Sequence, residues 1–134
     1  MDWKRFDKLS ILIIDDDQFT RELIKTILKQ VPNIKIYQAK DGIEALTFIN
    51  ELSLDMILLD LYMPQMDGGE FIETIRKNSQ FQSLPIVLIT TDRLSKNELS
   101  KIGADYYLTK PFDFHTFLES IYSFFEQEVH SNET

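Results

Sequence analysis

Acidic residues, threonines and a lysine stand at the ends of short apolar runs in this chain. Asp15, Asp16 and Asp17 follow ILII, Asp60 follows MILL, Thr90 and Thr91 close PIVLITT, and Lys110 follows YYLT. If those runs are parallel strands, all of these side chains arrive at one edge of a sheet. Carboxylates brought together repel one another, and burial raises their pKa values unless a cation or hydrogen-bond donors intervene. A few oxygen ligands favour a hard ion. Mg²⁺ takes one or two carboxylates plus phosphate oxygens and keeps several waters, so the pattern points to Mg²⁺ rather than zinc, with Mn²⁺ able to substitute.

A carboxylate can also attack phosphorus and form an acyl phosphate. Asp60 is best placed to do so, because it ends a nearly continuous apolar run and so stands at the mouth of the core. Lys110 would supply a positive charge to the phosphoryl oxygens, and Thr90 a hydroxyl donor. Such chemistry needs positioning and electrostatics more than covalent help from the protein.

The elements that must position these residues are legible as period. Strands are expected at Leu9–Ile14, Ile34–Ala39, Met56–Leu59, Ile86–Thr90 and Tyr106–Thr109, separated by segments of helical period. Ile24, Ile27, Leu28 and Val31 fall on one face of a first helix, and Ala45, Leu46 and Ile49 on one face of a second. A third helix follows Asp67 with Phe71, Ile72 and Ile75 inward, and a fifth carries Phe114, Phe117, Leu118, Ile121 and Phe125. In the fourth, Ser95 and Glu98 make a capping-box pattern, Leu94 and Leu99 a hydrophobic staple, and Gly103 a left-handed C-terminus. Right-handed crossovers then give an α/β fold, an open parallel sheet with helices on both faces, which binds ligands at the carboxyl ends of its strands.

The chain has 134 residues, enough for one domain, and its net charge of −8, with no basic patch, argues against nucleic acid and anionic membranes as partners. Cysteine is absent, which excludes thiolate chemistry and suits a reducing cytoplasm; no apolar run approaches the roughly 20 residues of a spanning helix, so no membrane insertion is expected. Residues 1–8 are expected to be a short leader, 9–129 the domain and 130–134 a polar, frayed tail.

Plainer readings compete at each position. Asp17 is expected to be a helix N-cap, whereas three consecutive acids exceed what one cap needs. Lys110 alone would be a solvated lysine, Thr90 alone a strand residue, and Tyr107 a half-buried core aromatic. His115 and His130 stand apart from any ligand cluster and are expected to face solvent.

The segments ILIIDDD, MILLDLYMPQMDG, PIVLITT and YYLTKPF resemble, in order and spacing, the signature segments of response-regulator receiver domains, with AKDGIEAL also typical. The resemblance spans residues 9–128. It implies a flavodoxin-like strand order 2-1-3-4-5 with five helices, and a phosphorylation switch of a two-component system rather than an enzyme in the ordinary sense. Asp60 matches the phosphoacceptor; Asp16 would bind Mg²⁺ directly, Asp15 through water, and Tyr62 through its backbone carbonyl. Thr90 and Lys110 match the phosphoryl-binding pair, Thr90 and Tyr107 the switch pair, and Lys110–Pro111 a cis peptide. Tyr62 and Asp92 would flank the approach of attacking water and tune the phosphoryl lifetime, with Asp92 either orienting that water or repelling it. Thr91 is larger than the residue common at its position, which would narrow access for phosphodonors, and Gly69 replaces a bulky residue.

The implied partners are a histidine kinase or histidine phosphotransfer protein and a downstream protein contacted through the fourth helix, fifth strand and fifth helix. Phe117, Tyr122 and Phe124 widen the last helix's apolar face, so a phosphorylation-dependent homodimer through it is a further expectation. Two alternatives remain: a receiver-like interaction module that works without phosphorylation, and a haloacid-dehalogenase-type phosphohydrolase. Against the second, Tyr62 stands where such enzymes place a second Asp, and 134 residues leave no room for a cap domain. A nucleotide- or flavin-binding module is weaker still, because the loop after the first strand is acidic where a phosphate loop needs backbone donors from Gly or Ser. The initial Met and short leader favour a native N-terminus; a stand-alone regulator and the receiver part of a longer protein both fit.

Overall fold

Ile11 and Ile13 belong to one core cluster and Leu12 and Ile14 to another, and all four are fully buried, so the first strand is covered on both faces. The computed structural model describes the backbone of residues 1–132 and side chains through residue 128; residues 133–134 and the His130 side chain lie outside the described residues. The strands are β1 (Ser10–Ile14), β2 (Lys35–Ala39), β3 (Met56–Asp60), β4 (Ile86–Thr90) and β5 (Tyr106–Thr109). The helices are α1 (Gln18–Leu28), α2 (Gly42–Phe48), α3 (Gly68–Arg76), α4 (Lys96–Ile102) and α5 (Phe114–Asn132). The sheet is wholly parallel in the order β2-β1-β3-β4-β5.

That order follows from the core. Residues of α1 and α5 pack on the Ile11, Ile13, Leu58 and Val87 face, while α2 and α3 pack on the Leu12, Ile57, Leu59 and Leu88 face, with α4 at its margin. The chain leaves β1 outward to β2 and returns across β1 to β3, so the reversal of strand order opens a crevice between the carboxyl ends of β1 and β3. Asp15 follows the first of these ends and Asp60 is the last residue of the second.

Most local grammar is present as written in the sequence. Ser95 and Glu98 form both halves of the capping box, each bond 3.1 Å long, and Gly103 closes α4 at φ 91°, where a side chain would be strained. Leu94 and Leu99 are half-buried against the same core.

Some elements differ from expectation. β3 runs one residue further, because Asp60 is paired with Ile89 in the ladder. α1 ends at Leu28, so Val31 reaches the core from the turn beyond it. Phe114 is not a core residue: it is 42% exposed, since the first turn of α5 follows the carboxyl edge of the sheet and has no strand beneath it. His115 is exposed, 2.9 Å from Glu119.

Residues 1–8 contribute to the core. Phe6 is 7% exposed and packs edge-on against Tyr122 at 5.6 Å and beside Phe125 at 5.8 Å, while Trp3 lies 5.1 Å from Tyr122. Part of the widened α5 face is therefore covered from within the chain. Arg5 pairs with Glu126 at 2.6 Å across the same contact. The helix α5 continues through Asn132, so the backbone of residues 130–132 is helical.

Candidate functional site

The site forms where β1, β3, β4 and β5 end. Asp60 is 8% exposed, Asp15 2% and Thr90 1%, three polar side chains in an otherwise apolar interior. Asp16 is exposed, and one carboxylate oxygen from each of Asp15, Asp16 and Asp60 falls within 4.8 Å of the others. Lys110 reaches in from the β5 end, its Nζ 3.5 Å from Asp15 Oδ2 and 3.9 Å from Asp60 Oδ1. The Lys110–Pro111 peptide is cis.

Local structure fixes each group. The Asp17 N–H donates to Asp15 Oδ1 at 2.8 Å, and Arg21, one turn into α1, donates to the Asp15 carbonyl at 2.6 Å. Asp17 is the N-cap of α1, accepting from the Phe19 N–H and, at 2.7 Å, the Thr20 hydroxyl. The Thr20 hydroxyl, followed by the Phe19 N–H, holds its carboxyl below the ordinary range. Asp17 is thus occupied with the helix, and Asp15 and Asp16 are left for the site.

Gly68 makes the loop after β3 possible. Its N–H donates to the Leu61 carbonyl at 2.8 Å, and a Cβ there would lie 3.0 Å from both the Asp60 carbonyl oxygen and Leu61 Cα. Gly68, Arg21 and Arg76 carry no assigned role in the sequence reading. The DG pair in MDGG is the signal that could have singled out Gly68; neither arginine has one, since each acts on a carbonyl placed by the fold. Arg76 donates to the Phe81 and Leu84 carbonyls at 2.6 and 2.7 Å, and reaches Gly103 and Asp105 at 3.2 Å.

The electrostatics are those of a cation-poor acidic cleft. Burial pushes the Asp60 carboxyl up to about 6, with the charge of Asp15 adding to it and Lys110 and the Tyr62 N–H opposing. Burial also raises Asp15, partly offset by the Asp17 N–H and Lys110. Asp15 Oδ2 is buried with no hydrogen-bond partner. A buried carboxylate oxygen without a hydrogen bond is costly, and a cluster of three carboxylates with one lysine beside it suits a hard cation.

The remaining sequence-predicted residues lie around this cleft. The Thr90 hydroxyl oxygen accepts from the Asp92 N–H at 3.1 Å, and the Tyr62 N–H donates to Asp60 Oδ1 at 3.3 Å. The Tyr62 hydroxyl donates to the Asp92 carboxylate, joining the loops after β3 and β4. Thr91 is exposed and Gly69 half-buried. Tyr107 is half-buried and lines a groove with Leu94, Leu99 and Tyr106 between α4 and β5, beside the site but outside it.

Comparison with known proteins gives the family. Residues 11–122 match the response regulator receiver domain, and the chain belongs to that family. It is 30% identical over 109 residues to response regulator Rre1 of Synechocystis, covering 80% of this chain and 47% of that protein; the chain thus spans about half the length of this curated relative. Among solved structures, chemotaxis protein CheY4 of Vibrio cholerae is similar at a TM-score of 0.80 and 31% identity, over 87% of this chain and 98% of that one. A CheY-like receiver domain from Methanospirillum hungatei gives 0.75 and 31%, over 91% and 97%. The chain is the receiver domain of a two-component response regulator, a regulatory unit rather than an enzyme in the ordinary sense. No helix among the described residues is long and apolar enough to cross a membrane.

Proposed function

We propose that Asp60 accepts a phosphoryl group from a histidine kinase or histidine phosphotransfer protein in a Mg²⁺-dependent reaction. The observation that carries this reading is the placement of Lys110 within 4 Å of both Asp15 and Asp60, at a buried Asp15 oxygen that has no hydrogen bond among the described residues. Asp15, Asp16, Asp60 and the Tyr62 backbone carbonyl are the groups that would hold the ion. When bound, Mg²⁺ neutralises phosphoryl charge and orients the incoming group.

The chain's own residues do the rest. Asp60 presents one carboxylate oxygen to phosphorus while its other is oriented by the Tyr62 N–H. The donor's phosphorus–nitrogen bond breaks as the Asp60 oxygen–phosphorus bond forms, and the imidazole leaves with the electron pair. Lys110 follows the new charge, and Thr90, whose hydroxyl proton is free to donate because its oxygen already accepts from Asp92, turns to a phosphoryl oxygen. The added charge of about −1.5 to −2 then biases two states of the surface formed by α4, β5 and α5, with Tyr107 turning inward as Thr90 moves. That surface is the proposed contact for a downstream protein or a second copy of the chain.

Incubation with acetyl phosphate and Mg²⁺ tests the reading. A base-labile mass gain of one phosphoryl group is expected, lost in EDTA and in Asp60→Asn. No gain with any phosphodonor would overturn it.

A further inference from the structure

Arg21 reaches back to the acidic loop after β1, yet it makes no ion pair with any carboxylate among the described residues. Its Nη1 donates instead to the Asp15 carbonyl at 2.6 Å. A guanidinium beside carboxylates ordinarily forks onto one of them; here it leaves them free. The carbonyl it takes belongs to the peptide link between Asp15 and Asp16. That link is planar, so a bond that fixes its oxygen also fixes the direction in which Asp16 leaves the chain. No other hydrogen bond to the link is found among the described residues. The Asp16 N–H has no acceptor there, and the helical ladder of α1 begins further on, where the Arg21 N–H donates to the Asp17 carbonyl at 3.1 Å.

The two adjacent carboxylates are held in different ways. Asp15 is buried; its N–H donates to the Ala39 carbonyl at 3.2 Å and its Oδ1 accepts from the Asp17 N–H at 2.8 Å. Asp16 is exposed, and its side chain makes no hydrogen bond among the described residues, yet one of its oxygens lies within 4.8 Å of oxygens of Asp15 and Asp60. Carboxylates this close repel one another, and the exposed one is the one free to swing towards solvent. We infer that Arg21 is a positioning residue for the cation site: by pinning the Asp15–Asp16 peptide link it keeps the Asp16 carboxylate turned into the cluster. The inference rests on the reading of Asp15, Asp16 and Asp60 as holders of Mg²⁺. Arg21 is itself half-buried in the first turns of α1, and Asp17 caps that helix, so helix and loop brace each other across the bond.

Mg²⁺ titration of the unphosphorylated protein, followed by backbone amide NMR, tests this, and the same spectra report that each variant is folded. Arg21→Met keeps a long side chain and loses the donor. Its dissociation constant is expected to be about tenfold weaker than that of wild type, the usual scale for removing a group that orients a metal ligand. The sign separates positioning from charge, because losing a cation beside an acidic cleft would by itself tighten Mg²⁺ binding. Arg21→Lys, which keeps a charged donor, is expected to recover most of the loss. If Arg21→Met does not fold, Arg21→Ala, which removes the same donor and places the best helix former in α1, is read in its place. An unchanged or tighter constant in the donorless variant overturns the inference, as does Arg21→Lys binding as weakly as that variant. Either result leaves the metal reading standing, because wild type binds. A wild type that binds no Mg²⁺ overturns both readings together.

Discussion

The Lys110 ammonium stands 3.5 Å from Asp15 Oδ2, close enough for charge to act and too far for a good hydrogen bond, so that oxygen has an ion-pair partner but no hydrogen bond among the described residues. One lysine thus faces two buried carboxylates, and the cleft is short of positive charge. Its energetic behaviour follows from that deficit.

Divalent cation should stabilise the fold. At a concentration about a hundredfold above the dissociation constant, a ligand bound only by the folded state adds about 2.7 kcal/mol. Thermal unfolding with rising Mg²⁺ is expected to shift upward and to return on adding EDTA. Asp16→Asn, which removes a ligand without touching the core, should abolish the shift.

The metal-free protein should prefer mild acid at this site. Asp60 titrates at about 6 in the folded state, above its unfolded value. Its stabilising contribution is therefore fully present below the unfolded pKa of about 3.9 and is lost as pH rises through about 6. Asp60→Asn removes that loss. In EDTA the variant should be more stable than wild type by on the order of 2 kcal/mol near pH 7.5, and the difference should close near pH 4. Urea unfolding at both pH values measures it.

Thr90→Ala is expected to keep phosphorylation and weaken its consequence. The buried hydroxyl is the link between the Asp60 edge and the loop after β4, through the Asp92 N–H. Amide exchange in that loop and at Tyr107 should change on phosphorylation of wild type and change little in the variant. An equal response in both would remove Thr90 from the switch.

Arg76→Met should destabilise by about 2–3 kcal/mol, because it leaves several carbonyls without the donor that now serves them. The expected readout is a lower urea midpoint with an unchanged slope. Phosphorylation of Asp60, at the opposite end of the strands, should persist.

Phe6→Ala should cost about 3 kcal/mol, at the lower end for a core phenylalanine because the ring sits at the margin of the core. Trp3, the only tryptophan, reports the same contact. Its fluorescence should shift towards the solvent-exposed value in the variant before global unfolding.

The sequence by itself determined the alternation of strands and helices, the capping of α1 and α4, and the placing of Asp15, Asp16, Asp60, Thr90 and Lys110 at strand ends. Those features depend on local period and on residue type, which neighbours along the chain reveal. Tertiary structure alone decided what depends on distance through space: that Asp15 Oδ2 faces Lys110 without a hydrogen bond, that Trp3 and Phe6 close over Tyr122, that Phe114 lies outside the core, and that Arg21 and Arg76 serve distant carbonyls. Tyr62 and Asp92 show the division most clearly. Their nearness to the site follows from their offsets from Asp60 and Thr90, but their hydrogen bond exists only because β3 and β4 are neighbours in the sheet, which brings the two loops together.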